Sequence, residues 1–162
     1  MVLSAFTLFH VLLSLVGIGS GLILFYELLL SKPLGRWNTV FLITTVATSV
    51  TGFFFPFHHF TPAYAVGILS LLVLAIAIVA LYRFSLSGGW CKAYVITALI
   101  ALYLNVFVLI AQMFQKVAFL RALAPTQSEP PFLITQVVVL LCFVVLAIRA
   151  TIKYRGMALV TA

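Results

Sequence analysis

The chain is expected to be an all-α integral membrane protein, a bundle of five transmembrane helices in a single domain over residues 1–162, and three observations predict this. Hydrophobic residues make up 65% of the sequence and charged residues 7%. Mean hydropathy is +1.33. The apolar residues fall into five runs, 6–30, 39–55, 63–82, 93–113 and 133–152. Each is near the roughly 20 residues that cross a hydrocarbon core about 30 Å thick. Nearly every run is apolar all round, so one small soluble core cannot hide it, and lipid must be the solvent.

The first run has no Lys or Arg before it and outlasts a signal-peptide core of about 7–15 residues, so it is taken as a retained span. Within it His10, Ser14, Gly17 and Gly21 share one helix face. The two glycines suit a close helix contact. His10, about a turn below the interface, must face protein, water or a cofactor. The second run carries Thr44, Thr45, Thr48, Ser49, Thr51 and Gly52. Hydroxyls in lipid bond to their own backbone or to a neighbouring helix, so this stripe is assigned to packing. Pro56 lacks an amide donor and kinks or ends the helix, leaving His58 and His59 at the interface among phenylalanines. Adjacent helical residues point about 100° apart, so one of these two histidines can face the interior.

The third run is almost wholly apolar and suits packing against lipid or a partner. In the fourth, Thr97, Ala101, Asn105, Gln112 and Lys116 follow a helical period, with Asn105 near mid-depth. Amides at such positions serve as helix glue or as site groups. Gln136 lies about one turn into the fifth run, and Arg149 is close enough to its far end to reach the headgroups. Trp37, Tyr82, Trp90 and Tyr154 fall at the boundaries, where amphipathic rings prefer to sit. The stretch 122–131 contains three prolines and is expected to be a loop.

With five crossings, Lys32, Arg36, Arg83, Lys92, Arg149, Lys153 and Arg155 share one side, and only Lys116 and Arg121 lie on the other. That bias puts the N-terminus outside and the C-terminus in the cytoplasm. The formal charge of +7 reflects a shortage of acids, two in all, more than any basic domain. Bases in ones and twos at span ends fit anionic lipid and give no phosphate-tracking groove, so membrane lipids are expected partners and nucleic acid is not. Cys91 and Cys142 fall at different depths, against a disulfide. Glu27 is expected to pair with Lys32 or Arg36 near the headgroups.

The same alternation brings His10, His58 or His59, Gln112, Gln136, Lys116 and Glu129 to one outer-leaflet layer. His10 with His58 or His59 meets the minimum for two axial haem iron ligands, the usual way to hold haem b in a bundle. Lys116 and Arg121 would then meet the propionates, and Phe53 to Phe60 would wall the ring. A quinone site needs only donors such as His10, Gln112 and Gln136 and an apolar slot, and it fits equally well. Other metal centres lack a ligand spacing. No nucleophile, base and acid stand at triad spacing and no Gly-rich phosphate loop is present, so nothing marks an enzyme acting alone. Transport ranks third, because mid-depth offers only Asn105 and hydroxyls. The competing class is a non-catalytic accessory, assembly or structural subunit bound to other membrane protein subunits.

Two stretches carry a resemblance: Thr44 to Pro62, and Tyr103 to Lys116 together with Ala122 to Phe132. They resemble a group of small uncharacterised proteobacterial inner-membrane proteins. The resemblance implies a bacterial inner-membrane location and brings no activity, cofactor or catalytic residue with it.

Overall fold

A computed structural model describes residues 2–55 and 62–154, with side chains from residue 5 onward. Among the described residues there are six α-helices and no strand: α1 (Val2–Leu29), α2 (Arg36–Gly52), α3 (Pro62–Ile78), α4 (Gly89–Lys116), α5 (Ala118–Leu123) and α6 (Pro130–Tyr154). A π-helical turn at Val79–Arg83 extends α3. Prolines open α3 and α6, at positions where a missing amide donor costs nothing. At the other end of α1, Ser31 takes a left-handed conformation with φ +55°. The Lys32 amide then reaches Glu27 O at 2.9 Å and the Ser31 amide reaches Leu28 O at 3.1 Å. This Schellman arrangement satisfies carbonyls that the helix end would otherwise orphan.

Four helical segments are long and apolar enough to cross a membrane: Ala5–Leu29, Pro62–Arg83, Gly89–Lys116 and Pro130–Tyr154. The second expected span differs. α2 ends at Gly52, three residues before the apolar run does, and its 17 residues measure about 26 Å. Pro56 supplies the reason, because a proline disfavours helical backbone at the residue before it, and Phe53 and Phe54 form a turn instead. The 122–131 loop also differs in part. Residues Ala118–Leu123 form α5, which overlaps its start, and Leu120 and Ala124 pack onto Phe114 and Phe132.

α4 is the centre of the bundle and packs against every other helix. Phe41, Tyr94, Val95 and Ala101 have no exposed surface, and around them Leu24, Leu28, Leu74 and Leu102 complete the core. The buried Tyr94 hydroxyl donates to Asn38 Oδ1, which satisfies two polar groups that lipid could not. α1 and α2 run antiparallel in the most extensive helix contact. Two glycines allow the approach. A Cβ at Gly21 would stand 2.6 Å from Leu102 Cδ1 and 2.8 Å from Phe41 Cδ2, and one at Gly17 would stand 3.2 Å from Thr44 Oγ1.

Most hydroxyls of the expected stripes bond to the carbonyl four residues back: Thr44 to Val40, Ser49 to Thr45, Thr51 to Ala47 and Thr97 to Ala93. Such bonds let α2 carry many hydroxyls without presenting bare donors to its surroundings. Ser49 and Ser70 also bond to each other at 2.9 Å, tying α2 to α3.

Candidate functional site

His10 is the centre of the one arrangement with chemical potential. It projects from α1 onto the end of α2, and its Nδ1 lies 2.8 Å from Thr51 Oγ1. The Thr51 hydroxyl has acceptors on its own helix in Ala47 O at 2.7 Å and Thr48 O at 3.1 Å; when it donates there it accepts from the imidazole, which then carries its proton on Nδ1. In that tautomer Nε2 keeps its lone pair. The Phe55 ring meets the imidazole edge-on, with centroids 5.1 Å apart and an interplanar angle of 85°. Phe6, one turn before His10 on the same helix, also meets the Phe55 ring, with centroids 5.0 Å apart. Ser14, one turn further along, bonds to His10 O.

This arrangement holds the imidazole ring in one orientation through the Thr51 contact and the Phe55 ring. An Nδ1 proton given to a fixed acceptor is the usual way of presenting Nε2 to a metal, and it raises the basicity of that nitrogen. Sequence reasoning assigned Thr51 to packing and did not find its role in orienting His10. The signal was available. His10, Gly17 and Gly21 on one helix and Thr51, Thr44 and Phe41 on the other are antiparallel stripes of matching spacing.

The other expected members of the layer are held by different neighbours. Gln136 is buried on α6 and donates from Nε2 to Phe107 O of α4 at 3.2 Å, while its Oε1 is buried without a hydrogen-bond partner. Gln112 and Lys116 lie on exposed positions of α4. His58 and His59 lie outside the described residues, as do Pro56, Phe57 and Phe60 of the expected aromatic wall. Among the described residues, no three His, Cys, Asp or Glu side chains gather.

Glu129 is taken up by its own loop, accepting from the Thr126 amide at 3.1 Å, the Thr126 hydroxyl at 2.9 Å and the Ser128 amide at 3.1 Å. Desolvation pushes its carboxyl up, but these hydrogen bonds outweigh it and hold the group below the usual glutamate range. Gln127 closes the same loop by donating to Ala111 O at 2.7 Å and accepting from Gln115.

Two further polar features lie away from His10. Around Gly17, Asn105 Nδ2, Thr45 Oγ1 and Thr48 Oγ1 are buried without hydrogen-bond partners among the described residues. A Cβ at Gly17 would stand 3.3 Å from Thr45 Oγ1 and 3.7 Å from Asn105 Nδ2, so α1, α2 and α4 also meet here, less tightly than at Gly21. An apolar cavity of about 10 Å³ lies next to it, between Gly21, Phe41, Leu99 and Leu102, with room for one water-sized sphere. Glu27 departs from expectation. Its Oε2 is buried without a partner and it forms no ion pair with Lys32 or Arg36, because the helix end turns both bases outward to exposed positions.

No protein-family model, curated protein or solved structure matches this chain.

Proposed function

We propose that the protein is a five-span inner-membrane protein of bacteria, N-terminus outside and C-terminus cytoplasmic, whose outer-leaflet site around His10 holds haem b for electron transfer. The observation that carries this reading is the Thr51 hydrogen bond, which leaves His10 Nε2 as a neutral donor nitrogen. A second axial ligand would come from His58 or His59. His58 follows Phe55 by three residues, a reach of at most about 11 Å of extended chain, and the Phe55 ring already touches His10.

The same tautomer separates haem from quinone. A quinone carbonyl needs a hydrogen-bond donor, which Nε2 in this state is not, whereas a quinol hydroxyl donating to Nε2 fits. Haem iron and quinol are thus the two ligands the imidazole suits.

Support for the fifth crossing comes from α2 itself. It lies antiparallel against α1 from the His10–Thr51 contact to the Gly21–Phe41 contact, and that alignment makes it a companion of a full span. Labelling of the two chain ends should find them on opposite sides of the membrane.

The test of the cofactor is an absorption spectrum. Purified protein supplemented with haem should show the Soret band of a b-type haem, and His10→Ala should abolish it. A colourless preparation overturns the haem reading. A second reading, an accessory subunit of a larger membrane complex, is favoured by α6, since only 11% of its most apolar stretch is buried in the bundle. It predicts co-purification of a larger complex in gentle detergent, lost when α6 surface residues such as Leu141 and Val145 are changed and unaffected by His10→Ala.

A further inference from the structure

The end of the bundle opposite His10 gathers cations from three distant parts of the chain. The Schellman turn after α1 fixes Ser31, whose hydroxyl donates to Lys153 O at 3.3 Å. Leu34 packs against the buried cluster that contains Tyr154, a second contact between the α1–α2 loop and the core at the end of α6. The Cys91 thiol of α4 lies 3.9 Å from Tyr154 O and forms the third. These contacts bring Lys32, Lys92 and Lys153 to one corner around the α6 terminus, with Arg36 at the start of α2. All four side chains are exposed. The chain has two acids. Glu129 is committed to its own loop, and Glu27, one turn below Ser31, is outnumbered four to one and turns an oxygen inward.

Beside these bases the surface becomes apolar. Leu30 is 46%, Ile148 55% and Ile152 70% exposed. A cationic rim above a bare aliphatic strip matches a ligand with an anionic head and hydrocarbon tails, and it does not match an acidic protein surface, which would leave the strip uncovered. We infer that the corner formed by Lys32, Lys92 and Lys153 is a specific binding site for an anionic phospholipid, its phosphate among the lysines and its chains along Leu30 and Ile152. The α1 terminus positions this site. Ser31 adopts a left-handed backbone that glycine would take more cheaply, and its hydroxyl bond to Lys153 O is what a glycine there would lose. The inference requires the chain to lie in a bilayer and is independent of any cofactor at His10.

The experiment is native mass spectrometry of the purified full chain in detergent, titrated with phosphatidylglycerol or with phosphatidylcholine of the same acyl chains. Phosphatidylglycerol should bind saturably, and the double variant Lys32→Gln/Lys153→Gln should bind it roughly thirtyfold more weakly, from about fivefold for each of the two charges removed at a membrane surface. Lys32→Arg/Lys153→Arg should retain binding. Lys116→Gln/Arg121→Gln, at the opposite end, should not change it. The proposal is overturned if the Gln pair binds like wild type, or if the opposite-end variant loses as much. It is equally overturned if glycerol phosphate competes at concentrations equal to the lipid's, since the tails would then contribute nothing.

Discussion

Replacing Thr51 with valine removes one hydroxyl and keeps the side-chain shape, so it isolates the contact on which the His10 site depends. Thr51 Oγ1 makes two kinds of bond, one with His10 Nδ1 and one donated to the carbonyls of its own helix, Ala47 O at 2.7 Å and Thr48 O at 3.1 Å. The second is dispensable, because a helix carbonyl already has its backbone partner. The first is not. Losing it forfeits a net bond of about 1 kcal/mol and strands the imidazole N–H against Phe55, so Thr51→Val should destabilise the fold by about 1–2 kcal/mol. Thr51→Ser should restore it. Without its acceptor the imidazole is also free to move its proton to Nε2, which removes the lone pair. Loss of such an orienting partner typically weakens metal binding about 10–100-fold, and haem affinity should fall by that factor. Unfolding of the purified protein in mixed SDS–detergent micelles reads the first effect, and titration of the Soret band reads the second. Unchanged stability and unchanged affinity together would refute the tautomer argument. Lower stability with unchanged haem binding would keep the hydrogen bond and remove His10 as the ligand.

Three further outcomes test the packing, the loop and the crossing number. Gly21→Ala should destabilise the bundle by about 1–2 kcal/mol, because its Cβ would overlap the buried Phe41 ring while Leu102 has only a small cavity to move into. Gly19→Ala, with nothing within 4 Å, should be neutral or gain up to about 1 kcal/mol of helix propensity, measured by the same SDS unfolding. Glu129 has a folded-state pKa below its unfolded value. Its contribution to stability is therefore present above the ordinary carboxylate range and is lost as pH falls through the folded value, so Glu129→Gln should remove the part of the acid sensitivity that sets in as pH falls through and below that range. Cysteines placed at residues 2 and 160 should react with a membrane-impermeant maleimide from opposite sides, and reaction from the same side would count against a crossing by α2.

The helices were legible because each apolar run is close to a bilayer thickness and ends in residues that stop helices or sit at interfaces. The hydroxyl stripe and the glycine face on α1 were legible for a similar reason, since helical period alone puts His10, Gly17 and Gly21 on one side. Depth was readable and direction was not. Gln112 and Gln136 are both amides near one end of the bundle, yet Gln112 lies exposed on α4 while Gln136 is buried against it. The difference is a rotation of each helix about its own axis, which is decided by side-chain packing across helices. Within α3 the apolar residues surround the helix almost completely, so its pattern does not favour one rotation over another. α5 escaped notice because six residues are too few to show a period, and its position depends on Leu120 and Ala124 meeting Phe114 and Phe132 from elsewhere in the chain.

The two ends of the molecule solve the same problem by opposite means. At the end of the bundle that holds His10, several polar groups are matched internally: the imidazole to Thr51, Thr51 to its own helix, and Glu129 to its own loop. At the basic end, ties from Ser31 and Cys91 to backbone carbonyls position the α6 terminus, while the lysine side chains stay outside that network. Internal matching fixes a side chain in one state, which is what a ligand to a prosthetic group requires. Unmatched flexible cations around a fixed backbone can adapt to a headgroup. A substitution that loosens the Ser31 tie should therefore weaken phospholipid binding and leave the His10 spectrum alone, whereas Thr51→Val should do the reverse. Coupled loss at both ends from either change would mean that the bundle moves as one body and that neither site is local.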